Sequence, residues 1–316
     1  MKKLYFIIFL LVSSASYGQD ADITWLNKNA VDLARYTSKL KQDLTGVEVL
    51  MLGEASHGTK EFYLEKNKII RYLVTYEGYT QIGFEHLDTE FAKINEYILS
   101  HKSEDLDLAM NGLMAYRTQE FVELFEWLKY YNMTNPNKKV GVFGFHKETF
   151  YDPFSRDQLM TEEVVKAKDA SKAKVILWAH NIHTAKNKTM PEISAMGDYL
   201  KEAYGNKFFN IAFDTYEGKV RTMNWTDEHG YTFAINELAP VTDGSFTALF
   251  NQVKYPNFYV RFKEGNPFGS QTKKITNIMV NWKAPFALPT TIAKDFDALI
   301  FIRKTSASEE IGSVIR

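Results

Sequence analysis

The chain has 316 residues, 45% hydrophobic and 15% aromatic, which is enough apolar material for one large core at a size that single α/β domains reach. A formal net charge of −1 provides no basic field for nucleic acid. The absence of cysteine excludes disulfides, thiolate metal sites and cysteine nucleophiles.

The N-terminus has the layout of a secretory signal peptide, with Met1-Lys2-Lys3, an apolar run over 4–12 and then small polar residues through Gly18. The run is too short to span a bilayer as a mature helix. Cleavage after Gly18 would leave residues 19–316 as a single exported domain, periplasmic or secreted, with no second long apolar segment.

Residues 20–40 carry Ile23, Leu26, Ala30, Leu33 and Tyr36 at helical spacing and read as helical cover. Residues 47–52 form a β-branched and aliphatic run that stops in Gly53-Glu54-Ala55-Ser56-His57-Gly58, and a helical pattern follows over 60–76. In that helix Phe62, Ile69, Ile70, Leu73 and Val74 make the inward stripe, Lys66 and Arg71 fall nearer its edges, and Glu77-Gly78 ends it. A second strand over 80–85 ends in Glu85-His86. Residues 88–131 are helical with a break near Asn111-Gly112, and a third strand covers 140–145.

A polar, exposed helix is expected over 155–170, a fourth strand over 174–178 ending in the His180 and His183 loop, a helix over 196–204, and a fifth strand over 208–213. Beyond Gly218 the signals thin to a helix over 245–253 and strands over 258–262 and 298–303. The alternation predicts an α/β domain, a mostly parallel sheet with helices on both faces.

Strand, helix and strand within about 40 residues fit a right-handed crossover, which puts the strand ends on one edge of the sheet, where ligands bind in open α/β folds. Glu54, His57, Glu85, His180 and His183 are therefore expected to meet. Three uses of such a cluster are open. An imidazole oriented by one carboxylate can deprotonate water while the other orients the water or supports developing charge. Imidazoles and carboxylates can instead hold zinc, manganese or iron. The site can also be a non-catalytic one for haem, iron or a glycan. A serine nucleophile is disfavoured, because no nucleophile-elbow pattern occurs and Ser56 adjoins His57 directly. His146 belongs to the same rim, His86 should face away from Glu85 by strand alternation, and His101 and His229 lie in polar stretches. Lys66 and Arg117 are candidates for binding an anionic group or pairing with Glu54 or Glu85.

The segment Leu52-Gly53-Glu54-Ala55-Ser56-His57-Gly58-Thr59-Lys60-Glu61-Phe62 resembles the signature of the erythromycin esterase family. Gly83-Phe84-Glu85, Tyr116-Arg117-Thr118, the histidine loop 179–186, Met196-Gly197-Asp198-Tyr199-Leu200 and Phe213-Asp214-Thr215-Tyr216-Glu217-Gly218 continue it in order. The resemblance implies metal-independent hydrolysis of an ester or lactone without a cofactor, by members that open the macrolide ring and so confer antibiotic resistance, with His57 as the base for water. It also implies that Glu54, Glu85, His180 and His183 occupy the family's other functional positions, and Lys66 a basic one. A more distant likeness to the TIKI and TraB peptidase-like group and to haem-binding ChaN-like proteins implies the metal-using and ligand-binding alternatives. Two departures stand out. Glu85 and His180 are only about 95 residues apart, so a helical lobe over the cleft is expected to be reduced. His146 stands where the family tends to have aspartate.

Overall fold

The computed structural model describes residues 20–100, 105–228, 230–241, 244–282 and 287–312. The signal-like segment, His101 and His229 lie outside these. Eleven strands are described: β1 (Val31–Asp32), β2 (Val49–Leu52), β3 (Tyr79–Leu87), β4 (Gly141–His146), β5 (Lys174–Trp178), β6 (Phe208–Thr226), β7 (Gly230–Leu238), β8 (Asn257–Arg261), β9 (Lys273–Thr276), β10 (Ala287–Thr290) and β11 (Ala298–Thr305). Nine of them form one sheet in the order β1-β8-β11-β6-β2-β5-β3-β4 with β7 on β6, and β9 pairs with β10 separately.

The run from β11 through β6, β2, β5 and β3 to β4 is parallel, and β8, β1 and β7 join antiparallel. The sheet is thus mostly parallel, with helices on both faces, as the alternation predicts. β2 lies at its centre and is apolar at every position because both faces are covered. Leu50 and Leu52 point into the core beneath helices Lys60–Tyr76, Asp88–Leu99 and Gln119–Thr134. Val49 and Met51 point into the opposite core, beneath Arg156–Ser171 and Met196–Tyr204. No helix among the described residues is long and apolar enough to cross a membrane.

Three expectations are corrected. The 20–40 stretch is not one helix. A helix over 20–29 is followed by β1 on the sheet edge beside β8, and a second helix, Thr37–Asp43, begins after it. The fifth strand does not stop at 213. β6 runs on to Thr226 and pairs with β7 from Gly218↔Leu238 to Thr226↔Gly230, a hairpin whose polar residues carried no strong strand signal. The helix Arg156–Ser171 is not merely a solvated cover, because Asp157, Met160, Thr161 and Val164 are buried.

Candidate active site

Because β2, β3 and β5 are parallel neighbours, their carboxyl ends deliver three loops to one edge. β2 hands over through Gly53 to Glu54, whose side chain is wholly buried. One carboxylate oxygen, Oε1, is 2.6 Å from His57 Nδ1. The other accepts from Lys66 Nζ at 2.7 Å and Trp178 Nε1 at 2.8 Å. Burial alone would raise the Glu54 pKa, but Lys66 and His57 outweigh it and hold the group below its ordinary value.

With Nδ1 donating to Glu54, His57 presents Nε2, which has no protein partner among the described residues, and its side chain remains 11% exposed. The ring sits between Tyr116, edge-on at 5.8 Å, and His180 at 5.3 Å. Gly58 follows with φ +102°, and a side chain there would meet the Arg221 carbonyl oxygen at 1.9 Å. Its own carbonyl accepts from Arg221 and Ser308 backbone N–H groups, which fixes the loop on two sides.

The β3 end supplies Glu85. Its Oε2 accepts the His180 backbone N–H at 2.8 Å, and its Oε1 lies 3.1 Å from His183 Nε2 and 3.2 Å from Arg156 Nη2. His183 also donates from Nδ1 to Asp157 at 2.8 Å. Burial would lower the His183 pKa, yet Glu85 and Asp157 outweigh it and push it up to about 10, so the ring is an imidazolium. Glu85 is held well below its ordinary range, burial being overcome chiefly by His183.

His180 has a different place. Nε2 donates to the Ile278 carbonyl at 3.1 Å and Nδ1 accepts the Ile182 N–H at 3.4 Å, capping the helix Asn181–Thr184. Burial pushes its pKa down to about 4, so it is a neutral ring with both nitrogens bound to backbone. The next residue ties the loops together. Asn181 donates its backbone N–H to the Glu54 carbonyl at 2.8 Å and its side-chain amide to the Phe213 carbonyl at 2.8 Å. Its Oδ1 is so close to Gly53 that a Cβ there would meet it at 2.2 Å.

The five expected residues are therefore brought together, but only His57 has an open nitrogen. His146 lies on the rim, its ring 5.8 Å from Phe150 and its pKa lowered by burial and then by Arg156. His86 turns away from Glu85 onto Phe91 and Tyr116, as alternation predicts. Of the two basic candidates, Lys66 pairs with Glu54, one of the alternatives expected for it, though not from the helix edge, and Arg117 pairs with neither Glu54 nor Glu85. Lys66 is not at a helix edge but fully buried against Glu54, with Nζ 4.3 Å from the Trp178 ring centre. Arg117 is consumed by the carbonyls of Ile311 and Gly312 and by Asp107, a distant tail contact that its sequence neighbours do not announce. Ser56 is buried and bonds Thr59, which leaves it shaping the loop.

Sequence reasoning missed Arg156 and Asp157. They open the helix after the third strand, on the rim already identified, but charges in a helix's first turn look like ordinary end residues. Among the described residues no group of three His, Asp or Glu side chains is disposed to hold a metal ion. The donor set agrees, because His180 is spent on backbone and His183 on two carboxylates.

A profile of the erythromycin esterase family matches residues 74–152 and 146–305, a stretch that contains Glu85, His180 and His183, with Glu54 and His57 preceding it. The "Putative hydrolase YbfO" of Bacillus subtilis (strain 168) is 28% identical over 166 residues, covering 50% of this chain and 35% of that protein. The chain thus spans about a third of the length of this curated relative. A Bacillus cereus protein of known crystal structure superposes with a TM-score of 0.80 at 19% identity, over 93% of this chain and 99% of that one. A mutant of erythromycin esterase EreC in its open conformation gives 0.70 at 14%, over 87% and 95%. Both structural matches show a shared fold. With most of the sheet and two of its three functional loops inside the profile match, the chain belongs to the erythromycin esterase family.

Proposed function

We propose that the protein is an exported hydrolase of carboxylic esters or lactones in which His57 activates water. Family membership supports a hydrolase. The observation that carries the mechanism is the Glu54–His57 pair, a 2.6 Å contact at Nδ1 that fixes the tautomer and leaves Nε2 free to take a proton. Lys66 and Trp178 hold the far oxygen of Glu54, so the carboxylate cannot rotate away from the ring.

Water attacks the carbonyl carbon as His57 Nε2 removes its proton. The tetrahedral oxyanion is stabilised by Arg156, whose guanidinium reaches solvent beside the His183 imidazolium. Collapse expels the alkoxide, which takes the proton back from His57, giving acid and alcohol. Glu85 anchors Arg156, His183 and the His180 backbone. His180 is a positioning residue that spaces the two halves of the site. Export is supported by the Met1-Lys2-Lys3 start and the apolar 4–12 run, and a mature N-terminus at Gln19 would bear it out.

The test is turnover of aryl esters, short acyl esters and lactones by the wild type and His57→Ala, each with and without chelator. Loss of about 10²- to 10⁴-fold in kcat is expected for the variant, the usual contribution of a positioned base. Equal activity would remove His57 from the mechanism, and chelator-sensitive activity restored by metal would favour the metal-using alternative.

A further inference from the structure

The cationic wall of the site opens into space that the mechanism does not use. A pocket of about 240 Å³ begins at Arg156, Asp157 and His183 and continues between Pro153, Ile182, Pro191, Ile193 and Met279. A second, of about 370 Å³, shares Ile182, Pro191 and Met279 with the first and extends along Met190 and Leu288. The three shared residues make the two compartments one trough, whose polar lining is Arg156, Asp157 and His183 in the first and Asn277 and Glu192 in the second. At one end stand the Arg156 guanidinium and the His183 imidazolium, and the far compartment carries the exposed carboxylate of Glu192.

We infer that this trough is the acyl-binding arm of the site, and that the substrates are esters of straight-chain acyl groups several methylenes long. The inference rests on the ester-hydrolase reading and adds the substrate class. Three features argue for an acyl chain. The charge pattern orients the occupant: Asp157 at the first end is engaged by His183, the Arg156 side chain stays 31% exposed beside it, and Glu192 in the far compartment repels a carboxylate. The oxyanion forms on the acyl carbon, and after cleavage that carbon carries the carbonyl oxygen and the oxygen delivered by water while the alkoxy oxygen leaves with the alcohol, so the carbon chain bonded to it is what enters a trough opening at Arg156. Apart from those polar residues the lining is aliphatic, proline and thioether, with no Phe, Tyr or Trp among the residues that line either compartment, and such walls reward methylene burial.

The full chain is assayed against p-nitrophenyl acetate, butyrate, hexanoate and octanoate, and acetate, butyrate and octanoate are titrated calorimetrically as free acids. The wild type should gain about four-fold in kcat/KM for each methylene buried, up to a plateau. Met279→Asp, at a side chain 52% exposed and shared by both compartments, should cut the octanoate-to-acetate ratio at least about ten-fold. Ile193→Asp should do the same from the opposite wall. A ratio at or below one in the wild type, or unchanged in both variants, overturns the inference. If no ester is hydrolysed, the ester reading fails and calorimetry decides on the trough. Octanoate binding tighter than butyrate, and weakened by Met279→Asp, supports it; equal binding of the three acids overturns it.

Discussion

Lys66 donates to Glu54 Oε2 at 2.7 Å with both side chains entirely withdrawn from solvent. Such a pair is costly to bury and more costly to break, because either partner alone is an uncompensated charge in the core. Burial lowers the Lys66 pKa to about 8 and Glu54 opposes the drop, so the ion pair persists at neutral pH. Its role is to aim the carboxylate that aims His57.

Lys66→Met should therefore destabilise the fold by about 3–5 kcal/mol, the usual cost of stranding a buried charge. Adding Glu54→Gln should recover part of that stability while leaving activity low. Urea unfolding of the wild type, the single variant and the double variant checks this through the coupling between the two positions.

Gly58→Ala should reduce activity more than its loss of stability accounts for. The residue adopts φ +102°, and the new Cβ would collide with the Arg221 carbonyl, so the loop must shift next to His57. Strain of this kind costs about 1–3 kcal/mol, and steady-state kinetics alongside thermal unfolding separates the two effects.

The histidine contribution to stability should peak near the ordinary histidine pKa, while Asp214 and Asp295, raised by burial to about 7 and about 6, oppose its acid limb and make their own contribution fall as pH rises. His183, raised to about 10, contributes fully below about 6.5 and loses that contribution as pH climbs through 10. His180 and His86, lowered to about 4 chiefly by burial, are held neutral, so the unfolded chain takes up protons first and stability falls from 6.5 towards 4. Denaturation of the wild type and of each histidine variant at acid, neutral and alkaline pH should show both limbs as differences between the curves. His183→Gln should flatten the alkaline limb, and His86→Gln part of the acid one.

Arg156→Ala should lower kcat by about 10²- to 10³-fold, as removal of an oxyanion donor does. Its side chain is 31% exposed and Glu85 keeps His183 as a charged partner at 3.1 Å, so thermal unfolding should change little. An unchanged kcat would take Arg156 out of the mechanism.

The strand ends were legible because buried parallel strands read as continuous apolar runs: β2 stops at Gly53, β5 stops two residues before His180, and β3 and β4 carry Glu85 and His146 in their last residues. Lys66 was half-legible. It lies four residues after Phe62 and three before Ile69, so helical period puts it in the inward stripe, while its charge argued for an edge. The engagement of Arg117 by Ile311 and Gly312 was not legible, since nothing local signals a partner more than 190 residues away. The β6–β7 hairpin escaped for a different reason, its residues being half-exposed and mixed in polarity.

The Asn181 clamp ties the ends of β2 and β5 to the interior of β6 through the carbonyls of Glu54 and Phe213, with Gly53 leaving room for it. A scaffold locked in this way sets the spacing of base and cation at the folding step, before any ligand arrives, and requires little reorganisation at turnover. On the proposed mechanism, exchanges at outlying wall positions such as Met279 and Ile193 then leave the spacing of His57 and Arg156 untouched.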